Sequence, residues 1–251
     1  MFILCLASLT GCSFWGKQSQ EMVRVPERSG VLYQDLLKRS LFFSSIKLSG
    51  RLKLKAKGKE LPSVRINAWL LSRGANSYLR IKGFAAFGIT VFDLLAKGER
   101  AWIYLPRSKR VYEGSGFFTS YGSIDVKNAI RAMEMVLNPW SPAKYVTLRE
   151  VQCQEEEQED LTCLKGDFLG HHFIFKYRSR DLFPITFYSS DMALRYSSQS
   201  PITPIYPREI TFFLYRAEAR GKLTLSDIQL IALSPENQLF DESYFLGKKG
   251  Q

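Results

Sequence analysis

Histidine is nearly absent from this sequence, cysteine is scarce, and acidic side chains are outnumbered. Of 251 residues only two are His, adjacent at His171 and His172, and four are Cys, at Cys5, Cys12, Cys153 and Cys163. Neighbouring side chains on a strand point to opposite faces, so the two histidines do not converge, and the acidic run "EEEQED" adds no ligand spacing; no metal site is expected. A Gly-x-Ser-x-Gly elbow is missing as well. With no nucleophile or acid/base pair marked by spacing, neither an enzyme nor a bound cofactor is expected. Apolar runs are short, below the roughly 20 residues that a membrane-crossing helix needs, and no internal repeat stands out. Carboxylates lag behind cations, 24 Asp and Glu against 35 Lys and Arg, for a net charge of +11. Such a charge suggests nucleic acid. Here, however, the cations interleave with apolar strand positions, as on a solvated sheet face, and no nucleic-acid partner is expected.

What the chain does have at its start is the run "MFILCLASLT", followed by Gly11 and Cys12. Its length suits the apolar segment of a secretory signal, about 7 to 15 residues followed by small residues at the cleavage point. The stretch Leu9-Thr10-Gly11-Cys12 matches the bacterial lipobox, in which the Cys is acylated and becomes the first mature residue. Two or three acyl chains anchor a protein stably, whereas one is marginal. In proteins carrying this box an Asp after the Cys retains them in the inner membrane, so Ser13 directs this one to the outer membrane, facing the periplasm. No Lys or Arg precedes the run, as though the true start lay upstream of Met1, and a buried N-terminal strand is the competing reading. The division that follows is a signal over residues 1–11, a lipidated N-terminus and tether over 12–29, one domain over 30–246 and a polar tail over 247–251. Roughly 220 residues suffice for one substantial core.

The body alternates. "RLKLKAK" sets Leu52, Leu54 and Ala56 on one face and Arg51, Lys53, Lys55 and Lys57 on the other, which predicts a sheet with one apolar and one solvated face. "VRINAWL", "YLRIK", "ITVFDLLAKG", "AWIYLP", "HFIFKYRS", "FPITFYSS", "PREITFFLY" and "ARGKLTLSDIQL" continue the pattern, and short turn signals separate them. With two more strands around the cysteine pair, the expectation is ten or eleven strands in one curved antiparallel sheet, an unclosed barrel of mainly β (α+β) class. Two stretches have helical period. "GVLYQDLLKRSLFFSSI" aligns Leu32, Leu36, Leu37 and Leu41, and "SIDVKNAIRAMEMVLNPW" aligns Val126, Ala129, Ile130, Met133, Val136 and Leu137, with Ser123 as candidate cap. These helices lid the apolar face. Cys153 and Cys163 flank "QEEEQEDLT", a charged hairpin tip whose strands bring the two near each other, and a disulfide between them is expected; a pair of reduced thiols and part of a zinc site, which would need further ligands, are the rival readings.

The lipobox and this order of elements, a helix, six strands, a helix and then the remaining strands, resemble the bacterial lipoprotein-sorting family of LolA and LolB over about residues 30–246. The lipobox favours the lipid-anchored LolB type. The resemblance implies an apolar cavity for acyl chains, lined by Leu52, Leu54, Ile66, Leu70, Leu79, Ile81, Ile103, Phe173 and Phe175, beneath a lid helix carrying Ile130, Met133, Val136 and Leu137. "RIKGFAAFGITVFDL" resembles the strand hairpin whose loop inserts cargo into the membrane; here that loop is "GFAAFG", with Phe84 and Phe87 at its tip between Gly83 and Gly88, which puts the two Phe in that role, and a loop folded back on the lid is the alternative. The implied partners are acyl chains of lipoproteins or phospholipids, the membrane with its anionic head groups, and a periplasmic carrier of the same family, for a protein read as a monomer. Lys53, Lys55, Lys57 and Lys59, with Arg107, Lys109 and Arg110, supply the charge for such head groups, about 1 kcal/mol for each residue near the surface. A scaffold lipoprotein with a filled core and a carrier for glycolipid are the competing functions.

Overall fold

The computed structural model describes residues 27–248 except 74–75, 99, 115, 120–121, 126–132, 146–147, 152, 154–160, 169–170, 179–185, 190–191, 198–205 and 216–217. Cys12, Ile130 and the tip "QEEEQED" therefore lie outside the described residues. The first helix, α1 (Glu27–Phe42), begins inside the stretch read as tether. Then come β1 (Ser45–Ala56), β2 (Lys59–Arg73), β3 (Asn76–Phe84), β4 (Thr90–Lys97), β5 (Arg100–Leu105) and β6 (Arg110–Gly114), all in antiparallel sequence. A small separate ribbon, β7 (Gly116–Thr119) with β8 (Gly122–Asp125), leads to the helical residues 133–137 and the short α2 (Pro142–Tyr145). The chain returns through β9 (Arg149–Val151), β10 (Leu161–Phe168), β11 (His171–Arg178), β12 (Thr186–Ser189), β13 (Met192–Ser197), β14 (Glu209–Leu214) and β15 (Ala219–Leu230). A last helical turn, α3 (Ser243–Leu246), follows.

β15 pairs with β1 and so joins the two meanders into one 13-stranded sheet, ordered β6-β5-β4-β3-β2-β1-β15-β14-β13-β12-β11-β10-β9 and not closed into a barrel. The class is the one expected, but the strand count is higher. β6, β7, β8 and β13 are additional; all are short, and only Ser190 and Asp191 separate β12 from β13, so no glycine or proline marks that break in the sequence. Alternation holds best where it is purest. In β1 Ile46, Leu48 and Gly50 are buried and Arg51, Lys53 and Lys55 exposed, and in β2 Val64, Ile66, Ala68 and Leu70 point inward. Inward residues as far apart as Ile103 of β5 and Leu164 of β10 belong to one core, so the sheet curls around it. Each large apolar side chain buried there stabilises the fold by about 1.5–3 kcal/mol.

Two expectations fail locally, and a third, the disulfide, is met. Leu41 is 57% exposed while Leu36 is buried; the buried line of α1 continues from Leu36 through Ser40 to Phe43, which turns Leu41 and Phe42 outward. Ser123 lies in β8 and cannot cap a helix there. Cys153 and Cys163 are joined in a disulfide with Cα atoms 5.4 Å apart, which excludes reduced thiols and zinc. Val151 lies opposite Cys163, so the bond ties the chain leaving β9 to β10 next to the point where their ladder ends.

The assumption of one solvated face also fails on β2–β5. β4 is buried on both sides over Phe92–Ala96. Leu71, Leu95 and Trp102 form a second core on the outer face with Phe240 and Phe245 from the C-terminal stretch, and Leu95, Trp102, Phe240 and Phe245 have no exposure at all. A strand covered on both sides reads as a continuous apolar run, as "VFDLLA" does.

Candidate functional site

Strand direction gives the sheet two ends. One carries the turns β1–β2, β3–β4 and β5–β6, and the other carries the start of β1, the β2–β3 connection and the end of β15. Helical residues close the second end. Tyr33 of α1 donates to the Ala143 carbonyl at 3.1 Å, and the Asn138 amide donates to the Ser40 and Phe43 carbonyls at 3.3 and 3.2 Å. Met133 and Leu137 are buried, and Val136 packs partly buried on the same core. Glu134, fully buried, accepts from Ser77 at 2.6 Å and from Tyr145 at 2.5 Å, and lies 3.6 Å from the Lys144 ammonium. Burial holds Lys144 below the usual lysine range, against the pull of Glu134 in the other direction. Burial, and after it the Glu134 carboxylate, pushes the Tyr145 hydroxyl up to about 12. Breaking up such a buried, interlinked cluster leaves charged groups without partners. This end is shut firmly.

The first end is less sealed. Of the residues expected to line the apolar interior, Ile66, Leu70, Leu79, Ile103, Phe173 and Phe175 are buried, whereas Leu52, Leu54 and Ile81 are only partly buried, as is Leu105. On β1, β3 and β5 these partly exposed residues sit in the half nearer the β3–β4 loop, whereas Ile46, Leu48 and Leu79, nearer the helices, have no exposure. On these three strands the apolar inner face is thus less covered toward the loop, while Ala56, Val64, Phe92 and Ala219 at the same end are buried.

That loop is a single 3-10 turn, Ala86–Gly88, closed by the Ala85 amide donating to the Ile89 carbonyl at 2.8 Å. It separates the two phenylalanines. Phe84 ends β3 opposite Arg65 and is half-buried, while Phe87 is 99% exposed. Ile89 and Val91 beside it are exposed too. Phe87 also holds a left-handed backbone, φ 59° and ψ 19°, next to Gly88 at φ 76°. A bulky side chain is uncommon in that region, and an exposed one gains no burial to offset the strain. Gly83 does not bracket the tip but faces the core, where a Cβ would meet the Phe92 ring at 2.2 Å. Ile89 and Val91 escaped the reading of the loop, although both are visible in "GITV".

Elsewhere the interior is densely aromatic. Phe43 stacks on Trp140 at 4.5 Å with Tyr206 against both, and Phe173, Phe175 and Phe187 form a triangle 5.2–5.4 Å on a side. On the outer face Asp93 is paired with an arginine. Arg80 donates to both its oxygens at 3.0 and 2.8 Å and to the Leu239 carbonyl at 2.9 Å, and its guanidinium lies over the Tyr244 and Phe245 rings. Asp227 is instead held by Gln229. Among the described residues no helix is long and apolar enough to cross a membrane, and no three His, Cys, Asp or Glu assemble as metal ligands.

No protein-family model and no curated protein matches the chain. In three dimensions it is similar to a lipoprotein-sorting protein domain of the outer membrane from Vibrio parahaemolyticus, with TM-score 0.58 and 14% identity over 87% of this chain and 98% of that one. It is similar to a DUF1329 family protein from Desulfovibrio piger, at 0.61 and 15% over 88% and 100%. A LolA superfamily protein from Nitrosomonas europaea matches at 0.53 and 16% over 84% and 98%. At these identities the likeness is one of fold, and the fold is that expected from the order of elements: an open antiparallel sheet curled round an apolar core and closed by helices.

Proposed function

We propose that this chain is a lipoprotein of the LolB type, anchored through Cys12 to the outer membrane, that takes acyl chains of lipoproteins or lipids against its inner face and passes them to the bilayer. The observation that carries this reading is the pairing of two features at one end of the sheet: an apolar inner face only partly covered at Leu52, Leu54, Ile81 and Leu105, and an exposed apolar loop tip at Phe87, Ile89 and Val91. Exposed apolar clusters on a soluble surface mark membrane or partner contacts. The structural relatives support it, one being described as a lipoprotein-sorting domain and another as a LolA superfamily protein. Because Glu134, Asn138 and Tyr33 hold the helical end shut, acyl chains enter and leave at the loop end, and Phe87 enters the leaflet ahead of them. Phe84, half-buried at the base of the loop, supports the tip.

The test is delivery of an acylated lipoprotein to phospholipid vesicles. Phe87→Asp is expected to slow delivery by about ten- to hundredfold, the equivalent of losing one inserted phenyl ring. Unchanged delivery would remove the loop from the mechanism.

The aromatic packing of the interior favours a second reading, a scaffold lipoprotein that holds a protein partner and carries no lipid. The two differ in whether acyl chains accompany the purified protein.

A further inference from the structure

On β15, β1 and β2 the outer face is not merely solvated. The ladders set Arg51 opposite Arg65, Lys53 opposite Lys222 and Lys55 opposite Arg220, and all six side chains are exposed. Like charges directly opposite one another destabilise a sheet, and a face that only meets water can use serine, threonine or alternating charge. Two carboxylates temper the patch: Glu209, which bridges Lys222 at 2.7 Å, and Glu60, opposite Lys55. The expected row of lysines along one strand is thus corrected. Lys57 sits in the β1–β2 turn at φ 48° and Lys59 in β2 opposite Ala56, while the charge spreads across three strands.

This patch adjoins the loop. Arg65 lies opposite Phe84 across β2 and β3, and the β1–β2 and β5–β6 turns, carrying Lys57 and Arg107, stand at the same end as Phe87. Cations beside exposed apolar side chains match a bilayer with anionic head groups above an apolar interior. An acidic protein segment would complement the cations and leave Phe87 without use. We propose that the outer face of β15, β1 and β2 is a docking surface for bilayers containing anionic phospholipid, which holds the loop end of the sheet against the membrane. The proposal rests on the reading that the loop enters the bilayer and adds the class of lipid.

The experiment uses the full chain with Cys12→Ser, so that it carries no acyl group, and vesicles of phosphatidylcholine with or without phosphatidylglycerol. The apolar N-terminal run contributes equally to both vesicles, so it cancels in the ratio of affinities. That ratio is expected to exceed about tenfold in favour of the anionic vesicles and to fall as salt rises. Arg51→Glu/Lys53→Glu/Lys55→Glu brings the ratio close to one. In this variant the new carboxylates face Arg65, Lys222 and Arg220, three attractive pairs against one new repulsion, at position 55 with Glu60, so it melts no lower than its parent and the loss is not unfolding. Equal binding of the parent to both vesicles, or a ratio that survives the triple substitution, overturns the proposal. Binding to polyglutamate but not to anionic vesicles overturns it in favour of an acidic protein segment. Phe87→Asp separates the two readings: if it weakens binding to both vesicles alike, loop and surface both stand, whereas if it changes neither while the ratio persists, the loop reading fails and the surface stands.

Discussion

The outer face of the sheet is treated in two ways by one chain. Over β2–β5 its side chains are Leu71, Leu95 and Trp102, and the C-terminal stretch folds back over them, with Phe240 and Phe245 fully buried and Lys248 lying over the Tyr104 and Tyr244 rings at 4.6 and 5.1 Å. Over β15, β1 and β2 the face is cationic, self-repelling and bare. The first half meets its apolar demand within the molecule, and its one buried ion pair, Arg80 with Asp93, has nearly every hydrogen-bonding group engaged. The second half carries unfavourable juxtapositions that Glu60 and Glu209 relieve only in part. What is stabilised internally reads as architecture. What is left destabilised and exposed reads as a surface for something else.

This contrast can be broken most forcefully at the covered half. Asp93→Ala leaves the Arg80 guanidinium buried, with only the Leu239 carbonyl and two rings for company, and is expected to lower the unfolding free energy by about 3–5 kcal/mol. Lys82, 3.8 Å from the same carboxylate, loses a partner too. Denaturant unfolding measures the change; a loss under 1 kcal/mol would mean that the C-terminal cover is not held by this pair. At the bare half the sign reverses. Arg51→Glu/Lys53→Glu/Lys55→Glu converts three repulsive pairs into attractive ones and turns one attractive pair, Lys55 with Glu60, repulsive, and should raise stability by roughly 0.5–1 kcal/mol in sum, read as an upward shift in melting temperature. A fall instead would show that the cations are already satisfied in the fold. The smallest effect is at the loop. Phe87 touches almost nothing, so Phe87→Asp should leave the melting temperature within a degree or two, as surface substitutions usually do, even while it slows delivery.

Much of the inner face was legible because its signal is local. A period of two, as in "RLKLKAK" or "HFIFKYRS", states which residues share a face whatever the strand pairs with. Leu52, Ile66, Leu79, Ile103, Phe173 and Phe175 accordingly meet in one core. The covered outer face was not legible, because Arg80 and Asp93 meet only through the β3–β4 register, in which Lys82 rather than Arg80 lies directly opposite Asp93. The partners of Leu95 and Trp102 come from a stretch more than 130 residues further on. The glycine pair around the loop misled in an instructive way. Gly88 does serve the turn with a positive φ, but Gly83 answers to the Phe92 ring, so the projecting element is shorter than "GFAAFG" and carries Phe87 alone with Ile89 and Val91 behind it. The charge reading was correct in sign and wrong in layout, since the cross-strand neighbours of Lys53 and Lys55 lie near residue 220 and no window along the chain contains both.

The central claim is that the inner face holds acyl chains. Native mass spectrometry with lipid extraction, on the secreted form that begins after Cys12 and is purified from a bacterial periplasm, tests it most directly. The account predicts bound phospholipid or acylated peptide, displaced when the protein is incubated with excess vesicles. A bare protein mass, unchanged after incubation with lipoprotein and with phospholipid, would contradict it and leave the aromatic-filled scaffold as the better description.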